Sequence, residues 1–458
     1  MALTDTSRPI PSASTLRALR RSFERAHTPP RLREGTFALT ALGAYVCGGV
    51  LWWLTTRPAT VLTTSPLIDT HQRWNPTWGW AVTGVLTAAL VTGAAALGPV
   101  NVRSETAWWL LPTPVDRRGV LRPRIGATLG IGGALGLAGG RLCAFVGELA
   151  HWLPFTLLGG ALGVGSVALG VLVQCEILPP WTLSVVTTVC LSGAAVAAIV
   201  ATAGGTVALI TSWTLVLVVS IVAVVLSGMA LWWCGRITVA RMAIGSETTA
   251  ATSVSLTMLD LSIVTGALEQ RAWRRVARRP SRRMPTSRTR ALIRIDALRH
   301  VRRPHSLFVA AGAVCTGWAL SAVLSPLAAA WTQLALVVGV CMIFSAGLRE
   351  LCADPALAVM LGADDRGLRL PLTVIPVVAA VVTTVLTASL VAMNPTPMAL
   401  VLIGAVTAMY RIRTRAPLTY DGLILETGFG QVPVDLIRQK IRGTDAIVVA
   451  AALLAVCG

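Results

Sequence analysis

Lysine is almost absent from this chain. Lys440 is the only one among 39 basic residues, and only 20 acids balance them. A phosphate loop of the form GxxxxGK[ST] needs a lysine beside its glycines. Gln439 precedes Lys440, so the chain carries no nucleotide-binding loop of that type. Neither an HExxH nor a GxSxG sequence occurs. The five histidines, His27, His71, His151, His300 and His305, are scattered. The nine cysteines show no CxxC or Cys/His spacing, which leaves no basis for a zinc site or a disulfide framework. Charge is scarce as well. Charged residues make up 13% of the chain, about half the share found in soluble domains.

What replaces charge is apolar length. Hydrophobic residues make up 54% of 458, in blocks of about 20, the length that crosses a bilayer. The blocks run over 37–56, 78–98, 123–145, 156–174, 183–203, 207–234, 307–325, 328–348, 372–392, 397–410 and 444–457. The last two are short for a full crossing. This composition excludes an ordinary soluble domain, a disordered chain and a secreted disulfide scaffold. It predicts an all-α polytopic membrane protein of about 10–12 transmembrane helices. With the N-terminus inside, every basic residue except Arg57, Arg73 and Arg141 falls on the cytoplasmic side. That asymmetry orients the chain, because short basic loops resist translocation. It also accounts for the net charge of +19 without a nucleic acid, which the sparse aromatic residues near the arginines do not favour. Residues 1–36 are polar and basic, so no secretory leader is expected.

The spans divide into two unequal, related halves. A basic N-terminal helix is expected in 1–36, a first six-helix half in 37–234, and an Arg-rich linker in 235–306. A second, shorter half follows in 307–458, with a cytoplasmic segment at 411–443. At an offset of 248 residues, Asp116, Arg118, Gly119 and Pro123 repeat as Asp364, Arg366, Gly367 and Pro371. Both stretches join the second and third spans of their half. Each half also opens on Leu/Ile and Arg residues at helical spacing, Leu16–Arg21 and Leu292–Arg299. This is the pattern of an amphipathic helix in the membrane interface. A further amphipathic helix is expected at 255–279, and tight turns at the glycines of 428–430. Paired halves are a common way for transporters to enclose a path. Each charged turn is placed where a partner can push on two spans at once.

Apart from Asp445 at the edge of the last block, no acid falls inside a predicted span, which argues against coupling to a proton or sodium gradient. Lining residues cannot be assigned; candidates are Tyr45, Trp52, Trp53, Thr83, Thr87, Trp318, Ser321 and Trp331. The glycines at 43, 48, 49, 130, 132, 133, 136, 139 and 140 read as helix-packing residues.

The stretch Leu111-Pro112-Thr113-Pro114-Val115-Asp116-Arg117-Arg118 resembles the Leu-Pro-Val-Ser-Arg-Arg turn of ABC exporter membrane subunits of the type-2 permease class. Asp116 stands where Ser is usual. The second copy, Met360–Arg366, lacks the Pro-Val pair. Gly430–Pro433 and Arg442–Asp445 are similar to fused, two-half permeases of that class. The resemblance implies a multi-pass protein of the bacterial cytoplasmic membrane that exports an amphipathic or hydrophobic compound. It implies no cofactor in this chain. ATP and magnesium would belong to a separate ABC ATP-binding subunit, docked as a pair, and a further membrane subunit is a possible partner beside membrane lipids. The contacts implied for the ATPase are Trp108, Trp109, Asp116, Arg117, Arg118 and Gly119, with Asp364, Asp365, Arg366 and Gly367 as the second set. Two other readings stay open. One is a non-transporting scaffold subunit. The other is a membrane-embedded, lipid-acting enzyme using Glu148 and His151 as an acid/base pair.

Overall fold

The computed structural model describes residues 75–98, 100, 117–147, 152–204, 213–238, 241, 285–302, 305–322, 324–361, 365–391, 394–415, 424–427 and 430–457. The chain is an all-α polytopic membrane protein. Among the described residues eight helices are long and apolar enough to cross a membrane. One two-stranded hairpin departs from the helical pattern among the described residues. Two compact units form: one from the described parts of 75–194 and 206–277, the other from 195–205 and 278–458.

The first unit contains α1 (Pro76–Leu97), α2 (Arg117–Gly147), α3 (Trp152–Gln174), the larger part of α4 (Trp181–Thr202) and α5 (Trp213–Trp233). Asn75 starts α1: its side chain accepts from Thr77 N–H at 2.9 Å, and Pro76 occupies the first turn, where no N–H is needed. Helices α2 and α3 pack backbone to backbone. Gly132, Gly136 and Gly140 recur every four residues on α2 and face Gly159 and Gly163 on α3. A methyl group at Gly136 would sit 2.2 Å from the Gly159 carbonyl oxygen, and one at Gly163 would sit 2.1 Å from that of Gly132. Apolar lipid gives helices no hydrophobic reason to associate, so close backbone approach supplies dispersion contact instead. The packing role expected for these glycines holds at 132, 136 and 140. At Gly130 there is nothing within 4 Å.

The second unit contains α6 (Arg288–Arg302), α7 (His305–Ser321), α8 (Pro326–Phe344), the short α9 (Ala346–Ala353) and α10 (Pro355–Met360), α11 (Asp365–Val391), α12 (Pro395–Arg413) and α13 (Val434–Cys457). Strands β1 (Ile424–Thr427) and β2 (Gly430–Pro433) pair antiparallel, with Ile424 opposite Pro433. Here the helices are held by side chains. The Gln333 amide donates to Thr387 Oγ1 at 2.6 Å, tying α8 to α11 in a fully buried position. Trp318 Nε1 donates to the Leu386 carbonyl at 2.8 Å, and Trp331 Nε1 to that of Ala451 at 3.0 Å.

Several expected boundaries move. The segment 397–410 belongs to a 19-residue helix long enough to cross, because Pro395 starts it early and Arg411 and Arg413 extend it. The segment 307–325 is the 17-residue α7, shorter than the eight candidate spans. The segment 328–348 ends at Phe344, and Ser345 breaks the chain into α9. The segment 444–457 is the second arm of α13. Its kink lies at Arg442–Gly443, where Gly443 has φ 99° and a methyl group would meet Ile412 at 2.4 Å. The first predicted span, 37–56, and the helices expected in 1–36 and 255–279 lie outside the described residues.

Candidate functional site

The repeated stretch is helical. Residues 117–123 were expected as a turn with the span beginning at Pro123, yet Arg117–Pro123 already belongs to α2, and Asp365–Pro371 likewise belongs to α11. Proline was read as a boundary because its ring strikes the carbonyl of residue i−4 and its nitrogen donates no bond. In both copies that i−4 residue is glycine, Gly119 for Pro123 and Gly367 for Pro371. Glycine is not required for a helix to run through a proline, since α11 also runs through Pro376, whose i−4 residue is Leu372.

In the first unit, three helix ends meet around this stretch. The Arg118 guanidinium lies over the Trp232 ring at 5.9 Å, and its side chain packs on Gly235. Arg236 stacks on Trp233 at 4.0 Å. Arg241 donates to the carbonyls of Val173 and Gln174 at the C-terminus of α3 and pairs with Glu176 at 2.8 Å. A cation is stabilised there by the helix dipole. Gln174 exchanges two hydrogen bonds with the backbone of Val100. Beneath lie Leu121, Ile125, Leu172, Cys175, Cys234 and Ile237. Burial pushes the Cys175 thiol up to about 12, so it stays neutral and is a packing group, not a nucleophile.

In the second unit the equivalent end carries a polar cluster that sequence reading missed. Helix α6 turns Asp296 and His300, one turn apart, into the protein interior. The His300 ring sits 3.0 Å from Ser306 Oγ, 3.2 Å from the Phe344 carbonyl oxygen, and 4.5 Å from the Phe344 ring. The carbonyl only accepts, so Nε2 carries the proton and Nδ1 takes that of Ser306 in the neutral ring. Asp296 Oδ1 lies 2.7 Å from where a side chain at Gly347 would begin, so a larger residue there would displace the carboxylate. Arg299 pairs with Glu350 on α9. Arg413 donates from Nε to Ser345 Oγ at 2.9 Å and also to the Met342 carbonyl. The cluster therefore fastens α6 and α12 to the carbonyls freed where α8 breaks at Ser345. Nothing in the apolar/Arg pattern of 292–299 marked Asp296 as buried, since a lone acid on an interfacial helix reads as solvated.

Of the other sequence-predicted site residues, Trp108, Trp109, Asp116 and Asp364 lie outside the described residues, as do Glu148 and His151. Arg117, Arg118 and Gly119 form the first turn of α2, and Asp365, Arg366 and Gly367 the first turn of α11. Thr83 and Thr87 are buried on α1, and each donates to the carbonyl four residues back at 2.7 Å. Ser321 donates to Trp318. Arg141, counted on the outer side although it falls within the block 123–145, is inside α2, 3% exposed, with Trp152 under its guanidinium at 4.7 Å. A charge is tolerated there because the Arg141 stem packs while its head finds an aromatic face. Among the described residues no group of three or more His, Cys, Asp or Glu is placed to hold a metal.

No curated protein and no solved structure matches the chain. The family described as "Family of unknown function (DUF6297)" matches residues 70–422, more than half of the length, and the chain belongs to that family.

Proposed function

We propose that the chain is the membrane-spanning permease subunit of an ABC transporter in the bacterial cytoplasmic membrane, exporting an amphipathic or hydrophobic compound. The observation that carries this reading is the repeated stretch itself. Arg117–Pro123 and Asp365–Pro371, 248 residues apart, both lie in the long proline-containing helices of the two units. In each unit the stretch lies where other helix ends and their arginines converge. A rigid helix pushed at such a junction moves as a body and carries its span with it.

In this reading the chain itself performs no chemistry. Asp116, Arg117, Arg118 and Gly119 form the main contact with the ATP-binding subunit, and Asp365, Arg366 and Gly367 the second. The basic ends face the cytoplasm, as the distribution of arginines requires. ATP and magnesium act in the partner, which docks as a pair.

Purification in mild detergent from native membranes, followed by mass spectrometry, is expected to bring down a stoichiometric protein with nucleotide-binding and ABC signature motifs. Replacing Arg117 and Arg118 together by Glu is expected to abolish substrate-stimulated ATP hydrolysis in that complex while the chain still inserts. Unchanged stimulation overturns the assignment. Recovery of membrane proteins without any ATP-binding subunit transfers the reading to a scaffold subunit.

A further inference from the structure

Helix α6 has two faces of opposite character, and only the inner one is explained by packing. The inner face carries Asp296 and His300, both buried. The outer face carries Ile295, 47% exposed, and Val301, 69% exposed, interleaved with Arg290, Arg294 and Arg302. None of these three arginines has an ion pair or hydrogen bond among the described residues. The only acid of α6 is Asp296, which points away from them. Helix α6 ends at Arg302, and the apolar α7 begins at His305. The chain enters its apolar layer immediately after α6, which fixes that helix near the level of the headgroups.

A hydrocarbon face would not carry three guanidiniums, and Ile295 and Val301 give the face an apolar component beside them. The combination suits the boundary between water and hydrocarbon. Apolar side chains dip toward the acyl chains, and arginine stems extend so that their planar heads meet phosphate oxygens in pairs. Three positive charges without a counter-charge select a headgroup with net negative charge over a zwitterionic one.

We propose that the outer face of α6 is a docking surface for anionic phospholipid headgroups, held through Arg290, Arg294 and Arg302. The inner face links that surface to the break in α8: His300 reaches the Phe344 carbonyl, and Arg299 reaches Glu350 on α9. Lipid seated on one face thus steadies the helix ends gathered on the other. The inference rests on the membrane-spanning character of the chain and stands apart from its assignment as a permease.

The test uses the full-length protein in nanodiscs of phosphatidylcholine doped with a photoreactive phosphatidylglycerol, with the labelled peptides identified by mass spectrometry. Labelling is expected within 288–302. Unlabelled phosphatidylglycerol is expected to compete, and phosphatidylcholine is not. In the R290Q/R294Q/R302Q variant the apparent affinity is expected to fall by about a hundredfold at low salt, each arginine contributing about fivefold. Because these side chains hold no other element, the variant is expected to keep the wild-type elution profile. The I295Q/V301Q variant keeps all three charges and is expected to retain the preference for phosphatidylglycerol. Labelling confined to other helices, equal competition by the two lipids, unchanged affinity in the triple variant, or equal protection by millimolar inorganic phosphate would each overturn the proposal.

Discussion

The two units solve one problem in two ways. In the first, α2 and α3 meet through glycines, with carbonyl oxygens about where side chains would begin. In the second, α7, α8 and α11 meet through an amide, a threonine hydroxyl and an indole that donate across the gap. Both units carry the repeated Arg-Gly stretch in a long helix, yet the seams differ in emphasis: the second unit has glycine contacts as well, at Gly317 and Gly404, but adds side-chain hydrogen bonds across them. The order of helices is thus separable from how they are held. Glycine seams fix distance, because a backbone cannot yield. Side-chain hydrogen bonds fix register and leave the distance adjustable.

The sharpest way to break that contrast is Gly136→Leu. Its side chain would collide with the Gly159 backbone, which no rotamer change relieves. A loss of about 3 kcal/mol or more is expected, seen as a collapse in the yield of monodisperse protein. Gly130→Leu, with nothing within 4 Å, is expected to behave as wild type; equal damage from both would refute the seam.

Gln333→Leu tests the other side. It removes the donor to Thr387, and about 0.6 kcal/mol, at most about 1.7, is expected to be lost. Thermal unfolding followed by tryptophan fluorescence would show a small shift with a normal yield. A collapse comparable to that of Gly136→Leu would mean the second unit is as distance-critical as the first.

The smallest effect expected is that of Arg118→Ala. Its contact with Trp232 is near the outer limit for a cation over a ring, so about 0.5 kcal/mol is at stake. This variant also sets the baseline for the charge reversal at 117 and 118, since any effect on ATP hydrolysis beyond it belongs to the partner. A large stability loss would recast Arg118 as a structural clamp.

The membrane class, the positions of most helices and the internal repeat were legible in the sequence, because hydropathy and helical spacing are local properties. Arg117 and Asp365 already lie in helices whose spans were expected only from 123 and 372, since Pro123 and Pro371 look like boundaries. The break at Ser345 was invisible, as apolar residues continue to Leu348 and only Arg413 and His300 show what takes up the freed carbonyls.

The sequence by itself determined that this chain spans a membrane and repeats a charged motif in its two halves, because the cost of putting charge in lipid leaves its pattern in any linear reading. Only the tertiary structure decided which glycines form a seam and which face open space, and that α6 turns Asp296 inward and Arg294 outward. Those outcomes depend on which atoms meet across helices far apart in the chain, and no local spacing encodes the partner.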